Sequence, residues 1–255
     1  VTVVAAERGW RAWRVARKLV HTAAGRCDLL APWEPRFRRA CAEIASHDDY
    51  DAIVLSYALL RRLPLPANVP IIGDTHNVEF DVMRRMAERA GNPFRRYYAR
   101  RQSEITKAEE RACAARVDLL LATSNRDRRV FEQELGARRV EVIPNGIDLA
   151  EFRPVSRGGA EPIVLFTGLM SYYPNQQGIR WFLDAVFPEV LRHVPGARLI
   201  VAGAAPPRWL QRRAGDCIEV TGHVPDMRPY LGRAAVVVVP LTIGGGTRVK
   251  ILEAL

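Results

Sequence analysis

Short apolar runs alternate with amphipathic stretches along this chain, and that alternation restricts the fold more than any single residue does. The strand-like runs are VTVVAA (1–6), DAIVLSY (51–57), PIIGD (70–74), DLLLAT (118–123), RVEVIP (139–144), PIVLFTG (162–168), ARLIVAG (197–203), CIEVTG (217–222) and AAVVVVP (234–240). A strand with one wet face alternates apolar and polar residues, whereas a run apolar on both faces belongs inside a parallel sheet covered by helices. Helix-like segments lie between the runs: PRFRRACAEIA (35–45), VEFDVMRRMAERA (78–90), PFRRYYARRQSEITKAEERACAARV (93–117), SNRDRRVFEQEL (124–135) and QQGIRWFLDAVFPEVLRHV (176–194). The expected fold is therefore α/β and doubly wound. The polar, aperiodic stretch DLAEFRPVSRGGAEP (148–162) marks a boundary, giving two domains over residues 1–152 and 153–255.

With 255 residues, 48% of them apolar, the chain can bury two cores of ordinary size. It has no run of about 18 uncharged apolar residues, so nothing in it reads as a membrane-spanning helix. The four cysteines (Cys27, Cys41, Cys113, Cys217) form no CxxC pair, which suits a reducing cytoplasm better than a disulfide framework. A formal net charge of +10 favours anionic partners, whether nucleotides, nucleic acid or an anionic membrane surface. Val1 opens on a strand already under way, without an initiator methionine, and Leu255 falls inside a helical pattern. The sequence is expected to be an internal piece of a longer chain, so a missing targeting signal carries no weight.

Doubly wound folds hold ligands at the carboxyl ends of their strands. The stretch after the 234–240 run is PLTIGGGTRVKILEAL (240–255). Thr247 is expected to cap a helix, with Arg248 and Lys250 in its first turn. Cations are unfavourable there, where the macrodipole is positive, unless an anion joins them. The competing reading turns both side chains into water and pairs Lys250 with Glu253. GGGTRVK fits neither the Walker A pattern nor G-x-G-x-x-G, which argues against P-loop hydrolases and ordinary dinucleotide enzymes. His76 follows the buried strand PIIGD inside the polar cluster Asp74-Thr75-His76-Asn77, and taken alone reads as a structural histidine. The basic face FRRYYARRQ (94–102) reads as solvated, with Tyr97 and Tyr98 as packing residues. Asp49 and Asp51 spell Asp-x-Asp, but at the amino end of a strand, where turn chemistry is the simpler account.

The ordered set VIPNGIDLAEFRP, VLFTGLMSYYPNQQGIRWF, ARLIVAG, VTGHVPDMRPYL and VVVVPLTIGGGTRVKILEAL resembles family 4 of the retaining glycosyltransferases, and upstream IIGDTHNVEF resembles that family's N-terminal domain. The resemblance implies the GT-B fold, two Rossmann-like domains facing a central cleft, both incomplete here. It implies transfer of a sugar from a nucleoside-diphosphate donor to a glycan or lipid-linked acceptor. The partners implied are that donor and that acceptor, with peripheral contact to an anionic membrane and no nucleic acid. No cofactor and no metal are expected, and the location implied is the bacterial cytoplasm. Glu253 matches the family's ribose-binding glutamate, and His76 the histidine near the transferred sugar. Donor-binding positions fall on Gly168, Gly203, His223, Val224, Gly244, Gly245, Gly246, Thr247, Arg248, Lys250 and Glu253.

Two departures stand out. Gly245 replaces the first glutamate of the family's pair, eight positions before Glu253, and Leu169 and Gln177 stand near the family's diphosphate-binding cations. Arg248 and Lys250 are expected to serve the diphosphate instead, with backbone amides of Gly245 and Gly246 taking over from the missing glutamate. His76, Arg248 and Lys250 are thus the expected catalytic set. The alternatives are a nucleotide-sugar epimerase of the same fold and a non-catalytic binding module.

Overall fold

The computed structural model describes residues 22, 24–25, 27, 39, 41–43, 50–56, 63–153, 161–246 and 248–255. The strand expected over 1–6, most of the helix expected over 35–45, Asp49, Tyr57, the segment 154–160 and Thr247 lie outside them. The chain divides into two compact units, Val1–Pro144 with Gly244–Thr247, and Asn145–Ile243 with Arg248–Leu255.

In the first unit, β1 (Ile53–Ser56), β2 (Ile71–Asp74), β3 (Leu119–Ala122) and β4 (Val140–Val142) form a parallel sheet in sequential order. Ile53 pairs with Ile71, Ile72 with Leu119 and Leu120 with Val140. Three helices join these strands: α1 (Glu79–Glu88), α2 (Pro93–Ala114) and α3 (Asn125–Gln133). Two of them, α2 and α3, start on a local signal. Asn92 accepts from the amides of Phe94 and Arg95, with Pro93 preset for the first turn. Ser124 Oγ accepts from the Asp127 amide at 3.1 Å, as its sequence position predicts. The first turn of α1 is capped from afar, because Val78 has no polar side chain. The Glu110 carboxylate on α2 takes the amides of Glu79 and Phe80 at 2.8 and 3.0 Å. Burial nevertheless pushes the Glu110 carboxyl up to about 8, against those two hydrogen bonds and with the help of nearby Glu79 and Asp81. Leu55, Ile71, Val78, Phe80, Leu120, Phe131 and Val140 fill the core beneath.

The second unit has a parallel sheet in the order β7-β6-β5-β8, formed by β5 (Ile163–Thr167), β6 (Arg198–Ala202), β7 (Ile218–Gly222) and β8 (Val236–Val237). Its helices are α4 (Tyr173–Trp181), continued by a π-helical stretch Phe182–Val186 into α5 (Phe187–His193), then α6 (Arg208–Gln211), α7 (Arg228–Arg233) and α8 (Val249–Leu252). Alternate residues of β5 serve opposite faces. Val164 and Phe166 join Ile179, Phe182 and Leu210 on one side, and Ile163 and Leu165 meet Met227, Tyr230 and Leu231 on the other. Helices therefore cover both faces, which explains why these strands are apolar throughout. Counted from β5, the strand order is 3-2-1-4, and the order reverses between β5 and β8.

Candidate functional site

At that reversal the carboxyl end of β5 is closed by a lysine. Lys250 Nζ donates to the carbonyl of Thr167 and, at 3.3 Å, to Asn175 Oδ1, and it lies 4.7 Å from the centre of the Phe166 ring. Asn175 is 6% exposed, and its own amide donates to the Leu169 carbonyl at 2.9 Å. A carbonyl, an amide oxygen and a ring surround the ammonium among the described residues, none of them a carboxylate. Burial first and the Arg248 charge second lower the Lys250 pKa to about 8, against the opposing pull of Glu253. The side chain points to the strand end, and among the described contacts no ion pair joins it to Glu253.

Glycines make the approach possible. A Cβ on Gly203 would lie 1.8 Å from the Gly168 carbonyl oxygen, and one on Gly168 would lie 2.9 Å from Lys250 Nζ. Both residues have a strongly positive φ, 146° at Gly168 and 148° at Gly203. Close packing accounts for glycine at both positions: the β5 end crowds Gly203, and the side chains of Asn175 and Lys250 crowd Gly168. His223, exposed, and Val224, half-buried, follow β7. Gln177 accepts from the Thr242 hydroxyl at 2.9 Å, and Leu169 is exposed.

The helix after the glycines differs from the expected one. Its N-cap is Arg248 and not Thr247, and it spans a single turn, Val249–Leu252, with Glu253 at its C-cap. Thr247 itself is outside the described residues. Arg248 has φ −79° and ψ 105°, extended backbone in which it cannot be the first-turn residue that the helical pattern suggested. Its guanidinium donates to the Ile243 carbonyl at 3.4 Å.

His76 stands in the first unit, just beyond β2. Buried Thr75 is stitched to the end of β3, its amide and hydroxyl both donating to the Leu121 carbonyl, at 3.1 and 2.7 Å. The next residue, His76, is exposed, with Nε2 3.4 Å from Ser56 Oγ at the end of β1. The glycine stretch belongs to this unit. The Gly246 amide donates to Asp127 Oδ2 at 3.0 Å, which corrects the expectation that this amide serves a donor sugar. Arg85 donates to the Gly244 carbonyl at 3.2 Å. Asp127, Asn77 and Arg85 were not among the sequence-predicted site residues. Ser124-x-x-Asp127 is legible as a cap, but its partner 119 residues away is not. Tyr97, read as packing, is 70% exposed on α2 beside Phe94. Asp51 precedes β1 and is exposed, at the strand end away from His76.

No helix among the described residues is long and apolar enough to cross a membrane. The two sheets, each parallel and helix-covered, match those of solved glycosyltransferases. TarM superposes with a TM-score of 0.62 at 12% identity, over 86% of this chain and 42% of that one. A trehalose-6-phosphate synthase solved in a study of glycosyltransfer with retention gives 0.54 at 14% identity, over 87% and 60%. The trehalose 6-phosphate synthase of Burkholderia multivorans gives 0.51 at 15% identity, over 97% and 60%. This chain therefore spans 42% to 60% of the length of these structures, and at such identities the likeness is one of fold. That fold is GT-B, two Rossmann-like units. A search of curated protein sequences returns no match. The family model described as glycosyl transferases group 1 matches residues 161–255, and the model of Glycosyltransferase Family 4 matches residues 1–151. With more than half of its length inside that second model, the chain belongs to glycosyltransferase family 4.

Proposed function

We propose that this protein transfers a hexose-type sugar, with retention at the anomeric carbon, from a nucleoside diphosphate to a glycan or lipid-linked acceptor. In the reaction the bond between the anomeric carbon and the diphosphate oxygen breaks, and its electron pair leaves with the diphosphate. A new bond to an acceptor hydroxyl oxygen forms on the same face, and the hydroxyl proton passes to the departing diphosphate. The developing charge on the leaving group needs fixed cations and donors. One observation carries the reading: a half-buried ammonium, with no carboxylate partner among the described residues, stands at the carboxyl end of β5, where the strand order reverses. An uncompensated buried cation is costly, and an anion at that point removes the cost. Arg248, two residues earlier, supplies the second positive charge, and Glu253 is assigned to the ribose.

His76 is assigned to the sugar end, Gly168, Gly203, His223 and Val224 to the nucleotide. The two cations take the part a divalent metal plays elsewhere, so no metal is required. The reaction is assigned to the cytoplasm, with the basic surface able to rest on an anionic membrane. Calorimetry with nucleoside diphosphates of each base, in chelator and with added magnesium, tests the proposal on the full-length protein. The expected result is metal-independent binding that weakens about 10-fold or more in Arg248→Ala and in Lys250→Ala, since each charge-assisted contact is worth about 1.5–3 kcal/mol. Unchanged affinity in both variants overturns the donor site.

A further inference from the structure

Each of the three successive glycines is held, through one backbone group, by a different side chain of the first unit. Arg85 Nη1 donates to the Gly244 carbonyl at 3.2 Å. Asn77, with its amide nitrogen turned toward its acceptors, donates to the carbonyls of Gly245 and His76 at 3.2 and 3.1 Å. Asp127 accepts from the Gly246 amide at 3.0 Å. These holders are themselves fixed. Asp127 is 1% exposed and takes the Ser124 hydroxyl at 2.8 Å. Arg85 and Arg126 both pair with Asp81, at 2.9 and 2.5 Å, and Asp81 is 2% exposed. Arg126 also reaches Asp127 at 3.4 Å.

The space is shaped for glycine. A Cβ on Gly246 would lie 2.5 Å from Thr123 Oγ1, at a φ of +66°, and one on Gly245 would lie 3.2 Å from Asp127 Oδ1. A glutamate at 245 would thus start against a buried carboxylate, and the two like charges would repel.

We infer that Asp127, Asn77 and Arg85 are positioning residues that clamp the Gly244–Gly246 loop and so set the register of Arg248 and Lys250. The clamp rests on these side-chain-to-backbone hydrogen bonds alone, while its effect on transfer rests on the donor reading above. It also accounts for the glycine at 245, whose neighbour Asp127 already supplies a carboxylate at that spot.

Hydrogen exchange of the loop and donor affinity, measured together on the full-length protein, separate these two levels. Asp127→Ala should speed exchange of the Gly246 amide by about 10-fold or more and raise the KM for donor about 10-fold. Asn77→Ala, which alters only a loop side chain, should do the same more weakly. Asn92→Ala should lower the Tm yet leave loop exchange and KM unchanged, since it removes the cap of α2 and touches no residue of the clamp. Unchanged loop exchange in a folded Asp127→Ala or Asn77→Ala protein overturns the clamp. Faster exchange with unaltered KM, while Lys250→Ala still weakens binding, overturns its positioning role. Faster exchange with binding indifferent to Lys250→Ala as well leaves the clamp standing and removes the donor reading.

Discussion

The ammonium of Lys250 offers a quantitative test because its proton and the proposed ligand depend on each other. Burial brings its pKa from 10.5 to about 8. For a base with a lowered folded pKa, the folded state releases a proton that the unfolded state keeps, so stability rises with pH between about 8 and 10.5. Below 8 the charged lysine is a standing cost, about 3 kcal/mol from the shift of 2.5 units at 1.36 kcal/mol each. A diphosphate reverses the preference, since it binds the charged form. The second ionisation of a phosphate has its midpoint near pH 6 and is about nine-tenths complete at pH 7, so the nucleotide charge is nearly constant through this window. Apparent affinity should then be flat to about pH 7.5 and fall almost 10-fold per unit above 8. Between pH 7 and 9.5 the loss comes to about 30-fold, or about 2 kcal/mol. Titration calorimetry of a nucleoside diphosphate measures it directly. Buffers of different ionisation enthalpy also report the proton taken up near pH 8.5. Lys250→Met, which keeps the chain length and removes the charge, should bind weakly at every pH with no such slope. A wild-type affinity constant from pH 7 to 9.5, or the same slope in Lys250→Met, refutes the assignment.

Three other outcomes are expected. His76→Ala should lower kcat about 10-fold with nucleotide affinity and Tm nearly unchanged, because an exposed side chain near Ser56 carries little packing and an interaction confined to the transition state appears in the rate; a fully active variant removes it from the site. Gly203→Ala should destabilise by about 3 kcal/mol or more in urea denaturation, since a Cβ 1.8 Å from the Gly168 carbonyl oxygen forces the β5 and β6 ends apart; a loss below about 1 kcal/mol contradicts that packing. Glu110 has a raised folded pKa, so its contribution is whole below pH 4.5 and is lost as pH rises toward 8; denaturation from pH 5 to 8 should show that decline in the wild type and a flatter profile in Glu110→Gln.

Much of the architecture was legible because the apolar runs report burial on both faces, and burial on both faces admits few folds. Ile163–Thr167 and Arg198–Ala202 fall where PIVLFTG and ARLIVAG place them. The run AAVVVVP is less faithful, as only Val236 and Val237 pair with β5. Val238 still donates its amide to the Leu165 carbonyl at 2.8 Å, and its side chain packs on the core cluster beside Phe166. Helix α7 was missed because Pro229 and Gly232 interrupt its six residues, leaving no period to read. The cationic pair after the glycines was legible from composition alone. Its local geometry was not, because Arg248 sits outside the helix that its neighbours suggested. The clamp on Gly244–Gly246 was invisible for another reason. Its bonds link residues more than a hundred positions apart, and each ends on a glycine backbone group of the kind every residue possesses.

The setting of Lys250 follows from a backbone approach one helix away. A Cβ on Gly178 would lie 2.6 Å from the Pro240 carbonyl, so the chain leaving β8 runs directly against α4. Asn175 lies three residues earlier on α4, on the same face, and is carried down with it. Its amide nitrogen then reaches the Leu169 carbonyl, which leaves its oxygen for Lys250. The same approach brings the chain after β8 to the end of β5, within reach of the Thr167 carbonyl. Neutral dipoles hold this lysine, and they orient a charge without cancelling it. A carboxylate in their place would hold it as well, but would occupy the position that the proposed diphosphate needs. Glycine at 178 and asparagine at 175 therefore belong to the same device as the lysine: packing fixes its location, and the absence of a counter-ion among its described neighbours keeps its charge available.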